Sequence, residues 1–170
     1  MIDAALRVAA KRVLNLCRAR GLHVATAESC TGGLVAAALT EIAGSSDIVD
    51  RGFVTYSDDA KRAMLGVPAA TLQRFGAVSA QTAKAMAAGA LKNSRADLAV
   101  SITGIAGPGG GSKQKPVGLV FFAAAGRDGR RIARKRLYGK IGRRRVRQRS
   151  VAEALALLQR LAHPPRPARR

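Results

Sequence analysis

The chain has 170 residues, 48% of them apolar and 24% charged, with a mean hydropathy near zero, which is ordinary globular composition and enough for one core. Thirty Lys and Arg against ten Asp and Glu give a formal net charge of +20, so a polyanion or a phosphorylated small molecule is a natural partner. No run approaches the roughly 18 apolar residues of a membrane span, MIDAALRVAAKR lacks the apolar centre of a signal peptide, and two Cys with two His are too few for a disulfide framework or a Cys-rich zinc site, so a soluble cytoplasmic protein without a metal is expected.

Residues 4 to 20 carry Leu6, Val13, Leu14 and Leu16 at helical spacing and stop at Gly21. LHVATA (22 to 27), with His23 inside it, reads as a buried strand that feeds ESCTGG and then a helix over 34 to 43. RGFVTYS (51 to 57) is a strand, and Ser57 caps a helix through Met64 with Asp58 and Asp59 in its first turn and Lys61 about one turn in. Helices follow over 68 to 75 and 80 to 92, the second capped by Ser79. LAVSITG (98 to 104) has a central-strand pattern and ends in the loop GIAGPGGGS. Two strands, 116 to 126 and 130 to 138, form a hairpin around GRDG. Val146, Val151, Ala154, Leu155, Leu158 and Leu161 then mark one face of a last helix. The alternation predicts an α/β fold, a three-layer α/β/α sandwich with a mixed sheet.

The charge is uneven. Residues 127 to 170 hold 16 Lys and Arg and 2 Asp and Glu, against 14 and 8 in residues 1 to 126. One domain over residues 1–162 and a basic, disordered tail over 163–170 are expected.

In ESCTGG, Ser29, Thr31, Gly32 and Gly33 stand where a strand hands over to a helix. Free N–H groups there bind an anion, or the residues simply cap and turn the chain. Cys30 reads as a buried, inert thiol. Histidine is scarce, so a nucleophilic serine needs Lys or Tyr as its base, and Ser45-Ser46, Tyr56 and Lys61 offer that set. A surface lysine beside Asp58 and a core tyrosine is the plain alternative. The loop with Gly104, Gly107 and Gly109 lies at a strand end, where open α/β sheets bind ligands, but its spacing fits neither a P-loop nor a dinucleotide fingerprint.

In order, TAESCTGGLVAAALTEIAGSS, RGFVTYSDDAKRAMLGV, GAVSAQTAKAMAAGAL, ADLAVSITGIAGPGGGS and KPVGLVFFA closely resemble the CinA C-terminal domain family in its stand-alone form. The resemblance runs in good register through residues 5 to 125 and more loosely to 162. It implies hydrolysis of the carboxamide of nicotinamide mononucleotide to nicotinate mononucleotide and ammonia, by serine and lysine, with no metal or organic cofactor. It also implies a homo-oligomer, for which the small-residue run from Ala83 to Ala90 is a candidate contact. Carried over by position, the site residues are Ser29, Ser46, Tyr56, Lys61 and Thr103. On this reading Ser46 attacks, with Ser29 as the alternative nucleophile. Lys61 takes the proton and Tyr56 relays it or delivers it to the departing ammonia. Ser29 and the N–H groups around Thr31, Gly32 and Gly33 hold the phosphate or oxyanion, and Thr103, Gly104, Gly107 and Gly109 close over the substrate. The stretch corresponding to the family's Gly-Asp-Arg turn before the last helix is Gly139-Lys140-Ile141-Gly142-Arg143-Arg144 here. That keeps Arg143 as a phosphate partner, loses the acid, and leaves a basic stripe suited to nonspecific nucleic-acid contact; the alternative reading is a non-catalytic module of the same fold that binds nucleic acid or phosphorylated ligands through this stripe.

Overall fold

The computed structural model describes residues 2–164. Twelve elements follow in chain order: helix α1 (Ala4–Arg18), strand β1 (Val24–Glu28), helix α2 (Leu34–Thr40), a short 3-10 turn (Ser45–Asp47), β2 (Val49–Val54), α3 (Asp58–Leu65), α4 (Ala69–Phe75), α5 (Ala80–Lys92), β3 (Leu98–Gly104), β4 (Leu119–Gly126), β5 (Arg131–Leu137) and α6 (Arg143–Ala162). The strands form one sheet in the order β2-β1-β3-β4-β5. The first three run parallel, and β4 and β5 are antiparallel additions. The sheet is mixed and covered on both faces, as the alternation of elements predicts.

Side-chain size sorts the two faces. Val24, Leu98, Val100, Ile102, Val120 and Phe122 face α1, α2 and α6. Ala25, Ala27, Ala99, Ala123 and Ala125 face α5, whose own buried face is Ala83, Met86, Ala87 and Ala90. Small residues on both sides let this helix lie close to the strands, and the Ser101 hydroxyl donates to the Ala83 carbonyl at 2.6 Å across that contact. On the far side, a Cβ at Gly89 would lie 1.9 Å from the Leu65 carbonyl oxygen, so glycine is required where α3 crosses α5. The small-residue run 83 to 90, a candidate subunit contact by sequence, is therefore largely consumed by the molecule's own core.

Boundaries shift for local reasons. His23 precedes β1 instead of lying within it; it is exposed, and its backbone N–H donates to Asp97. β2 begins at Val49, which pairs with Val24, and ends before Tyr56 because Ser57 turns the chain into α3 by accepting from the Ala60 N–H. β4 begins at Leu119 because Pro116 has no N–H to give and Gly118 turns with φ +89°. The caps at Ser57 and Ser79 stand where the sequence puts them. Residues 165–170 of the expected tail lie outside the described residues. Among the described residues, no helix is long and apolar enough to cross a membrane.

Candidate active site

The connection leaving β1 leads to β2 on one side, while β2 returns by α3, α4 and α5 to β3 on the other. The carboxyl ends of β1 and β3 therefore flank a topological switch point, where open α/β sheets leave a crevice. Backbone bonds extend the pairing just beyond the strands: the Ser29 N–H donates to Ile102 O at 2.9 Å and the Thr55 N–H to Glu28 O at 2.8 Å. Ser29 is thereby held at the sheet edge, directly after β1.

The turn after Ser29 is closed by the Gly32 N–H donating to the Ser29 carbonyl at 3.0 Å. Glu28, fully buried, reaches back with its carboxylate to the N–H groups of Gly33, Val35 and Ala36 at 2.9 to 3.1 Å. It supplies the cap that Gly33 cannot, and it fills the start of α2. The expectation that the Gly32 and Gly33 amides bind the anion is corrected by these bonds, since both donors are already used. Thr31 is buried with its hydroxyl unpaired. Cys30 lines the cleft beside Ser29, with its backbone N–H against its own thiol. Nothing in the sequence around Glu28 marks this role, because a carboxylate within an apolar strand carries no local sign of the helix start it will meet.

Lys61 enters from the first turn of α3 and is 1% exposed. Its Nζ donates to Thr55 O at 3.0 Å, to Ser29 Oγ at 3.3 Å and to Ser57 O at 3.4 Å, with the Asp58 carboxylate at 3.9 Å. Burial pushes the Lys61 pKa below its ordinary value, while Asp58 and Cys30 pull the other way. Burial also raises the Cys30 thiol to about 12, which agrees with an inert cysteine.

Ser46 lies elsewhere. It is exposed in the turn before β2, two residues ahead of Ile48, whose carbonyl accepts from the Val24 N–H at the opposite end of β1. The length of β1, about 16 Å at about 3.3 Å per residue, separates it from Ser29 and Lys61. The expected pairing of Ser46 with Lys61 is corrected: the serine within reach of Lys61 is Ser29. Thr103 is likewise directed away from the cleft, because its buried hydroxyl donates to the Ala77 carbonyl at 2.8 Å.

A cleft of about 230 Å³ opens at this edge, lined by Ser29, Cys30, Tyr56, Arg143 and the loop from Gly104 to Gly110. Gly107 has φ +80°, and a Cβ there would lie 2.6 Å from Val117, so this turn of the loop requires glycine. Tyr56 is 61% exposed. Its hydroxyl accepts from Arg143 Nη2 at 2.9 Å, and Arg143 Nη1 donates to the Gly107 carbonyl at 3.0 Å. Arg143 thus spans the cleft mouth without a carboxylate partner among the described residues.

Fold and site together define an α/β sandwich protein whose cleft holds a serine against a buried lysine. The chain belongs to the CinA C-terminal domain family, whose model matches residues 6–162. It is 51% identical over 158 residues to nicotinamide-nucleotide amidohydrolase PncC of Escherichia coli K12, covering 93% of this chain and 95% of that one. The PncC protein of Enterobacter agglomerans is 56% identical over 121 residues, covering 71% and 74%. The crystal structure of the competence/damage inducible protein CihA from Agrobacterium tumefaciens superposes with a TM-score of 0.94 at 55% identity, covering 96% of this chain and 99% of that one.

Proposed function

We infer that this chain is a nicotinamide-nucleotide amidohydrolase, releasing ammonia from the carboxamide of nicotinamide mononucleotide. The observation that carries the chemistry is the 3.3 Å contact between Ser29 Oγ and a lysine that burial has made a weaker base holder of its proton than a free lysine. In its neutral form Lys61 takes the Ser29 proton as Oγ attacks the carboxamide carbon. The oxyanion forms against the Cys30 N–H, the amide that follows the nucleophile. Lys61 returns the proton to nitrogen, ammonia leaves, and Ser29 carries the nicotinate mononucleotide as an ester. Water then gives a proton to Lys61, attacks the ester carbon and restores Ser29. Arg143 pairs with the substrate phosphate, Tyr56 lines the entrance and the loop from Gly104 to Gly110 covers the ribose. Residues 1–162 are read as the catalytic domain, acting in the cytoplasm.

Ammonia release from nicotinamide mononucleotide tests this, with nicotinamide and NAD as comparisons. Ser29→Ala and Lys61→Ala are expected to lower kcat by about a thousandfold or more, while Ser46→Ala leaves it near that of the unaltered enzyme. Full activity in Ser29→Ala would overturn the assignment.

Two further readings concern partners. Asp128 and Glu153, the acids of residues 127–162, are bound by Arg130 and Arg136, which leaves Arg134, Lys140, Arg144 and Arg145 without a carboxylate partner among the described residues. This strip favours nonspecific contact with nucleic-acid phosphates. A homo-oligomer is proposed on the apolar groove between α5 and β5, lined by Ala85, Ala88, Ala123, Ala125 and Ala133; the mass in solution tests it.

A further inference from the structure

The first turns of α6 reach all three walls of the cleft. Arg143 touches Tyr56 and Gly107, and one helical turn further on Arg147 Nη2 donates to the Thr31 carbonyl at 2.8 Å, a contact across 116 residues of chain. Arg147 has no carboxylate partner among the described residues, and its Nε is buried without an acceptor. The side chain is therefore committed to a backbone carbonyl in the turn that follows Ser29. Arg18, Arg20, Arg51, Arg127, Arg130 and Arg131 also hold backbone carbonyls, but the carbonyl held by Arg147 is the one in the tight turn that follows Ser29.

That turn is held from within by Glu28, through Gly33, Val35 and Ala36. The arrangement fixes α2 but places a carboxylate in the residue before the nucleophile, where negative charge opposes a developing oxyanion. Arg147 stands against the same turn with opposite charge. Its field and that of Arg143 reach Cys30, whose thiol both pull down against the larger effect of burial.

We propose that Arg147 is a positioning residue for the reaction at Ser29: by holding the Thr31 carbonyl it sets the turn that aims Ser29 and the Cys30 N–H, and its charge offsets that of Glu28. The proposal rests on the assignment of Ser29 and Lys61 made above. Arg143 meets the substrate, so its loss acts on KM. Arg147 acts through the turn, so its loss acts on kcat.

The test compares Arg147→Met and Arg147→Lys with the unaltered enzyme by kcat and KM on nicotinamide mononucleotide, by melting temperature, and by the rate at which a fluorophosphonate probe labels Ser29. In labelling, Ser29 Oγ bonds to phosphorus as the P–F bond breaks and fluoride leaves, which gives a phosphonate ester and does not depend on which amide is the substrate. In Arg147→Met, kcat and the labelling rate are expected to fall together by about ten- to a hundredfold, with KM within about twofold and melting close to that of the unaltered enzyme. Arg147→Lys recovers part of the loss. A raised KM with kcat kept would overturn the proposal in favour of direct substrate contact. Unchanged kcat and labelling, or losses that only follow a lowered melting temperature, would overturn it too. If the unaltered enzyme labels at Ser29 but releases no ammonia from the mononucleotide, the substrate assignment fails and the labelling rates alone decide the role of Arg147. No labelling of Ser29 in the unaltered enzyme overturns both.

Discussion

An ammonium taken out of water raises the free energy of the folded state unless its protons find acceptors, and those of Lys61 face two carbonyls and the Ser29 hydroxyl. The carbonyls hold the protonated form in place, while burial shifts the balance toward the neutral amine. In the proposed mechanism the unprotonated lysine is the active form, so kcat/KM of the free enzyme is expected to rise with pH as Lys61 loses its proton. The midpoint should lie below the 10.5 of a free lysine, and activity should be lost as pH falls through it. A pH profile of kcat/KM checks this, and Lys61→Arg, which stays protonated, is expected to be inactive throughout. Arg143→Ala is expected to raise KM by about tenfold with kcat little changed, read from initial rates over a range of mononucleotide concentrations.

Two elements place these groups, and each depends on a contact distant in sequence. α3 presents Lys61 and lies against α5 at Gly89, where the Leu65 carbonyl occupies the space a methyl group would need. Gly89→Ala must push the two helices apart, at a cost of about 2 kcal/mol, which lowers the melting temperature by about 4 to 8 °C in a chain of this size. Calorimetry reads the first effect. Because Leu65 and Lys61 share one short helix, a loss of kcat accompanies it. α6 begins without a side-chain cap or an acid in its first turn, and Gly142 precedes it with φ +90°. An aspartate at 142 would be strained there, since side chains rarely adopt that φ.

Across the whole molecule the excess of cations is concentrated on β5 and the start of α6, along an edge strand that is exposed over most of its length. Cations along an edge also discourage pairing with another sheet, so the strip has a structural reason to exist beside any partner. The two explanations separate by salt. If the strip follows phosphates, affinity for duplex DNA is expected to fall by about a hundredfold between about 50 and 200 mM salt, as four phosphate contacts require. A fluorescence titration at several salt concentrations measures the slope, and a flat one leaves only the edge-protecting role.

Helix caps at Ser57 and Ser79, the strand over 98 to 104, the glycine loop after it and the apolar face of α6 all follow from patterns within a few residues, which is why they were legible in the chain. With two histidines in the chain a serine's base falls to lysine, and the structure brings Lys61 to Ser29 in the strand-to-helix turn at ESCTGG. The choice between Ser29 and Ser46 was not legible, because both are small hydroxyl residues beside glycines and nothing local says at which end of β1 each will lie. Thr103, one residue short of the cleft loop, is turned inward by the strand's alternation and bound to Ala77. Glu28 and Arg147 gain their roles only when β1, α2 and α6 come together, since a carboxylate meets three amides and a guanidinium meets a carbonyl 116 residues away. Local order arises from short-range sterics and periodicity, whereas the partner of a buried charge is set by how the layers pack.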